Sequence, residues 1–328
     1  MMFSMHHRQP ILPCTLLIAG VLAACSSTSD KGDDTTGTTG TTGTTGTTGT
    51  TGTTNGPVGG DPGTFRLVFE HNDVEREAIV YVPESYDPNR PVPLMLNFHG
   101  YGGEMDDHMA WADMRSHAER DGSIVVYPQG TRMEGSPHWN AALPGGDNKS
   151  DADDLGFVRE LLSRIDGDYP LDRERVYASG YSNGGMMAAA LACYESDLVA
   201  SVGIVSGIQI DTGSICAPTH PTGVITLHGT EDGVLPYNGN AETTAQEDTI
   251  DFWVTHNQTD TSPSEASDSD RSVTIEQLVY SNGTNGTSVE HYRYVGGDHV
   301  WFDEEFQGAD ASDLVWDFTH RHDINGAR

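Results

Sequence analysis

Lysine is almost missing from this chain. Of 328 residues only Lys31 and Lys149 are lysine, and basic residues number 17 against 49 acidic ones, a formal net charge of −32. A surface so short of cations excludes nucleic acid or an anionic membrane surface as the main partner, because both are held by basic patches. Cysteine is scarce as well, with four in all. None lies near histidine at zinc-binding spacing, and no metal or other cofactor is expected. The acidic run from Asp147 to Asp154 lacks the ordered ligand spacing of a calcium loop, and reads as a surface loop leading into a helix.

Long apolar runs are lacking too. The N-terminal stretch Ile11 to Ala24 is too short to span a bilayer comfortably. It follows His6, His7 and Arg8 and ends in Leu22-Ala23-Ala24-Cys25, which resembles a bacterial lipoprotein signal. The resemblance implies a signal peptide over 1–24, lipidation of Cys25 and an extracytoplasmic protein held at a membrane, with Ser26 compatible with the outer one. An ordinary cleavage near Ala24 with Cys25 left free is the alternative. Thr35 to Thr54 then repeats Thr-Thr-Gly, which holds nothing to build a core. The segment 25–63 is therefore expected to be a disordered linker, with a reach of roughly 35 Å as a flexible coil.

The remainder, 64–325, has the length of a single domain with a sizeable core, expected to be monomeric. Phe65 to Val82 alternates about Asn72-Asp73 as a hairpin would. Strands are expected up to His99, over Ser123 to Tyr127, up to Ala178, and over Ala200 to Val205, Val224 to His228, Ser272 to Tyr280 and Ser288 to Val295. Helical patterns fall over Glu104 to Arg120, Asp153 to Asp166, Gly185 to Cys193, Ala241 to His256 and Ala309 to His320. Strands alternating with helices predict an α/β fold whose mostly parallel sheet is covered on both faces.

Chemistry concentrates at the predicted strand ends. Gly180-Tyr181-Ser182-Asn183-Gly184 falls between a strand and a small-residue helix, the context of a nucleophile elbow in which a serine stands on a tight turn. A serine hydroxyl needs a histidine to take its proton and a carboxylate to orient that histidine. The α/β-hydrolase order is serine, acid, histidine. Asp232 lies just past the strand Val224 to His228, with Glu231 as second choice. His299 follows a strand ending at Gly296-Gly297; His228 reads as packing or bonding locally. After the strand into Phe98, His99-Gly100-Tyr101-Gly102-Gly103 matches a glycine-rich oxyanion loop. Its donors are assigned to the N–H groups of Tyr101 and Asn183, with Gly102 an open alternative. Trp139, Asn140 and Trp301 are candidates for the pocket wall or, equally, for the core.

The words LNFHGYGG, IVVYPQGT, DADDLGFV, RVYASGYSNGGMMAAALAC, LHGTEDGVLPY, DFWVTHN and GGDHVWF carry a resemblance. From about Thr64 to His320 the chain resembles the secreted esterases that group polyhydroxybutyrate depolymerases with feruloyl and acetylxylan esterases of the carbohydrate esterase 1 type. The resemblance implies an α/β-hydrolase fold, Ser182 as nucleophile, Asp232 as acid and His299 as base. Substrates would be polyhydroxybutyrate-type or feruloyl- and acetyl-polysaccharide esters. The chain departs from the family between Trp139 and Asp153, where relatives often carry cysteines, and at Gln258, so the pocket rim is its own. Cys193 and Cys216, the cysteines of the mature domain, form a disulfide or stay as buried thiols. Peptidase or thioesterase chemistry on the same fold is the alternative within hydrolases; a non-catalytic surface-displayed binding protein is the alternative outside them.

Overall fold

The computed structural model describes residues 60–328 apart from 145, 147, 211 and 214. The signal, Cys25 and the whole Thr-Thr-Gly repeat lie outside the described residues. The first hairpin pairs β1 (Gly63–His71) with β2 (Val74–Val82). It closes at Asn72 and Asp73, both with positive φ, as a two-residue type I′ turn requires. There follow β3 (Val92–Phe98), α1 (Met105–Trp111), α2 (Arg115–Asp121), β4 (Ile124–Pro128) and a small hairpin of β5 (Thr131–Met133) and β6 (Ser136–His138). Next come α3 (Asp154–Asp168), β7 (Leu171–Tyr181), α4 (Asn183–Tyr194), β8 (Ser201–Val205), β9 (Gly223–Gly229) and α5 (Gln246–Asn257). The chain finishes through β10 (Ser264–Asp270), β11 (Val273–Tyr280), β12 (Val289–Val295), α6 (Ala311–Thr319) and a short hairpin of β13 (His322–Asp323) and β14 (Gly326–Ala327).

Ten strands make one sheet in the order β1-β2-β4-β3-β7-β8-β9-β12-β11-β10. From β4 to β12 all neighbours are parallel, and an antiparallel pair flanks them on each side. The parallel strands are apolar on both faces because helices cover both. Leu94, Leu96 and Phe98 of β3 enter the core shared with α3, α4 and α5, while Met95 points into the core shared with α1, α2 and α6. The parallel order brings the carboxyl ends of β3, β7, β9 and β12 to one edge of the sheet, where a parallel sheet presents its loops for function.

Several elements differ from expectation, and three of them have a local cause. The helix expected over Glu104 to Arg120 is broken between Trp111 and Arg115. Buried side chains of the sheet take its backbone groups there: Asn97 Nδ2 and the Tyr127 hydroxyl donate to Ala112 O, and Met114 N–H donates to the Tyr127 oxygen. The helix expected from Ala241 starts at Gln246, because Asn240 Oδ1 holds the N–H groups of Glu242 and Thr243 in a turn. β10, SEASDSD, has no apolar face to announce it and exists by pairing with β11 at the sheet edge. Its carboxylates make that edge unattractive to another strand.

Cys193 and Cys216 are joined by a disulfide across a sequence separation of 23. It ties the end of α4 to the segment entering β9, and closing such a loop stabilises the fold by about 3 kcal/mol through the unfolded chain.

Candidate active site

The strand-to-helix turn after β7 holds Ser182 at φ 54° and ψ −119°, a conformation a side chain adopts only when its surroundings impose it. Those surroundings are the two flanking glycines. A Cβ on Gly180 would lie 2.4 Å from the Gly184 carbonyl, and one on Gly184 would lie 2.1 Å from Phe98 O. Only glycine lets β3, β7 and α4 approach this closely.

His299 Nε2 is 2.9 Å from Ser182 Oγ, and His299 Nδ1 is 2.7 Å from Asp232 Oδ2. The three side chains come from loops after β7, β9 and β12. The acid and histidine loops are laced together, since Thr230 N–H donates to Tyr294 O and Glu231 N–H to Gly297 O. The Tyr181 hydroxyl donates to His299 O at 2.8 Å and so fixes the histidine loop to the elbow. Between the two acid candidates the geometry is clear: Asp232 is buried against His299, while the Glu231 side chain is exposed. Burial alone would raise the Asp232 carboxyl. Hydrogen bonds from His228, His299 and the N–H groups of Leu235 and Val234 outweigh it and hold the group well below the usual carboxylate range.

The glycine-rich loop after β3 is braced by His99. Its Nδ1 donates to Gly100 O, and its Nε2 accepts from Gly130 N–H and Gln129 Nε2. Burial pulls this imidazole down to about 4 and so keeps Nε2 free to accept. Gly102 N–H is committed to Pro137 O at 2.7 Å. Among the described residues no hydrogen bond uses the N–H of Tyr101 or of Asn183, so both donors are uncommitted.

Of the pocket-wall candidates, Trp139 and Asn140 lie beneath the site. Trp139 is 1% exposed and donates from its indole to His99 O. The Asn183 amide clasps the Trp139 backbone on both sides, accepting from its N–H at 2.7 Å and donating to its carbonyl at 3.0 Å. Trp139 thus ties the elbow to the glycine-rich loop after β3. Asn140, 3% exposed, donates from Nδ2 to Ser150 O and Ala152 O and accepts the N–H groups of Lys149 and Ser150. It organises the loop in which the chain departs from the cysteine-bearing pattern. Trp301 is half-buried, its indole donating to Ser312 Oγ.

Trp111 is the site neighbour that sequence reasoning missed. It is 46% exposed and stands edge-on to Tyr181 and Trp301, with ring centroids 5.3 and 6.0 Å away. Tyr181 in turn lies 5.1 Å from the His299 ring. Nothing near Trp111 in the sequence marks it, because it reaches the site from the end of a short, largely exposed helix. Among the described residues no group of three or more His, Cys, Asp or Glu side chains is arranged to hold a metal ion, and no helix is long and apolar enough to cross a membrane.

Residues 71–308 match the model of the Esterase family, described as "Putative esterase". The chain belongs to the Esterase family. It is 29% identical over 180 residues to feruloyl esterase B of Piromyces equi, covering 54% of this chain and 33% of that protein. It is 28% identical over 176 residues to a protein of Aspergillus niger named "Probable feruloyl esterase C", covering 51% of this chain and 58% of that one. The chain thus spans a third to somewhat over half of these relatives. The solved structure of an acetyl xylan esterase from Aspergillus awamori superposes with a TM-score of 0.52 at 15% identity, over 68% of this chain and 89% of that one. At that identity the likeness speaks for the fold alone, and the fold is that of the α/β-hydrolases.

Proposed function

We propose that this Esterase family member is an extracytoplasmic serine hydrolase of carboxylic esters, with Ser182 as nucleophile, His299 as base and Asp232 as acid. The observation that carries the reading is the unbroken relay from Ser182 Oγ through His299 to Asp232, at 2.9 and 2.7 Å, beside two uncommitted N–H groups. Ser182 Oγ bonds to the ester carbonyl carbon as its proton passes to His299 Nε2. The carbonyl oxygen gains the negative charge and is held by the Tyr101 and Asn183 N–H groups. Collapse breaks the bond to the alcohol oxygen, which takes the proton from Nε2. Water then attacks the acyl-enzyme, gives one proton to Nε2 and releases the acid with Ser182 restored.

Feruloyl or acetyl groups on polysaccharide are the preferred substrates. Support comes from the relatives named feruloyl esterases and from the half-exposed ring of Trp111 beside the relay, a surface suited to a flat acyl group or a sugar ring. Polyhydroxybutyrate-type esters are the second class. The lipoprotein-like start and the Thr-Gly segment support a catalytic domain tethered through Cys25 to a bacterial membrane.

The test is hydrolysis by the full chain and its Ser182→Ala variant of p-nitrophenyl acetate, methyl ferulate, acetylated xylan and 3-hydroxybutyrate oligomers. The wild type is expected to act on methyl ferulate or acetylated xylan, and the variant to lose at least about 10³-fold in kcat/KM. A folded wild type inert on the whole panel, or a variant as active as wild type, contradicts the reading.

A further inference from the structure

His228 stands at the end of β9, four residues before Asp232, and is fully buried. Its Nε2 lies 2.8 Å from Leu235 O and 3.1 Å from Asp232 Oδ2, the same oxygen that His299 Nδ1 meets. Both neighbours of Nε2 are acceptors, so Nε2 carries a hydrogen shared between them. The other ring nitrogen, Nδ1, is buried with no partner among the described residues. Leaving one buried nitrogen unpaired has a cost. The ring nonetheless sits where its one donor serves the acid and the loop that carries it.

We propose that His228 is a positioning residue for the relay: it donates to Asp232 Oδ2 and, through Leu235 O, clamps the loop that presents this carboxylate to His299. The inference rests on the reading of Asp232 as the acid. Asp232 Oδ1 already accepts from Val234 N–H at 2.8 Å and Leu235 N–H at 2.7 Å. His228 is the side-chain donor to Asp232 that lies outside the proposed relay, and it fixes which way Oδ2 faces. The pocket around the pair is crowded with other ionisable groups. The Tyr237 ring lies 6.0 Å from His228 and its hydroxyl is 2.7 Å from His291 Nε2, while Arg293 is paired with His228 in the β9–β12 ladder. Tyr181 and Asp298 approach from the elbow and the histidine loop, and exposed Glu231 adjoins Asp232. Among these groups, those with hydrogen bonds to Asp232 are His228 and His299.

Removing the donor leaves the Asp232 carboxylate less stabilised, so it pulls harder on the proton that His299 takes up, and the acid limb, which reports the base of the relay, moves upward. The experiment compares the full chain, His228→Leu and His228→Gln by kcat/KM against pH on p-nitrophenyl acetate, with Ser182→Ala as control. His228→Leu is expected to lose about tenfold in kcat at little change in KM and to move the acid limb upward. His228→Gln, whose amide can donate to both oxygens, is expected to restore the limb and most of the rate. An unchanged acid limb in a folded His228→Leu, or failure of His228→Gln to differ from it, overturns the proposal. Activity surviving in Ser182→Ala would instead sink the relay reading itself. Should His228→Leu not fold, ring-nitrogen NMR on the wild type decides. A proton on His228 Nε2 is expected, and a ring protonated at Nδ1 alone, unable to donate to Asp232, overturns the proposal.

Discussion

At the scale of single residues, the site is a problem of holding one buried carboxylate charged. Asp232 is surrounded by four donors, from His228, His299, Val234 and Leu235, which offset the cost of taking its charge out of water. A carboxyl whose folded form binds a proton less readily than the unfolded form adds stability above the ordinary carboxyl pKa of about 4. That stability is lost as pH falls below this value and the folded carboxyl is protonated. Asp232→Asn is therefore expected to flatten the fall of Tm between about pH 5 and pH 2 relative to wild type, and to cut kcat by about 10³- to 10⁴-fold at neutral pH. Thermal melts across pH check the first effect and steady-state rates the second. A variant with the wild-type acid profile would show that Asp232 is not the carboxylate whose charge the four donors hold.

At the scale of elements, the elbow depends on backbones meeting without side chains between them. Gly184 and Gly102 make a controlled pair. A Cβ on Gly184 would meet Phe98 O at 2.1 Å and His99 O at 2.5 Å, whereas Gly102 has φ +76° and open space around it. Gly184→Ala is expected to prevent folding or cost more than about 4 kcal/mol, because two backbones must separate. Gly102→Ala is expected to cost about 1–2 kcal/mol, from conformation alone. Denaturant melts of both variants test this, and equal costs would contradict the packing at the elbow. The same element shows what the sequence could tell. Gly180, Ser182 and Gly184 were legible because turn and chemistry share one short word. The serine, acid and histidine loops were legible because each follows an apolar strand. Trp111 was not, since its approach to the site depends on the break between α1 and α2, which is made by Asn97 and Tyr127 from the sheet. β10 was not, since an acidic edge strand has no apolar period. Trp139 and Asn140 were open in the sequence between pocket wall and core, because the burial that sets both beneath the elbow and their bonding partners come from the tertiary fold.

For the whole molecule, charge sets the conditions. With −32 on 328 residues, like charges repel across the surface, and most arginines of the described domain are already paired with carboxylates, as Arg76 is with Asp154 and Arg159 with Glu195 and Asp197. Salt at physiological strength shortens the reach of that repulsion to about 8 Å. Tm of the full chain is therefore expected to rise by several degrees between roughly 10 and 150 mM NaCl, through screening of self-repulsion. A Tm that falls over this range would mean that the surface ion pairs outweigh the net charge. The mostly parallel sheet covered on both faces was legible from the alternation of strands and helices. Its order was not, because pairings such as β3 between β4 and β7 are decided by crossovers that no local pattern records.

The measurement that tests the central claim most directly is covalent labelling of the full chain with a p-nitrophenyl alkylphosphonate, read by intact mass and peptide mapping. The phosphonate resembles the tetrahedral adduct and reacts only with a serine that its base has activated. One adduct on Ser182, with loss of p-nitrophenol, is expected in the wild type and none in His299→Ala. A label on another residue, or equal labelling of Ser182 without His299, would contradict the relay.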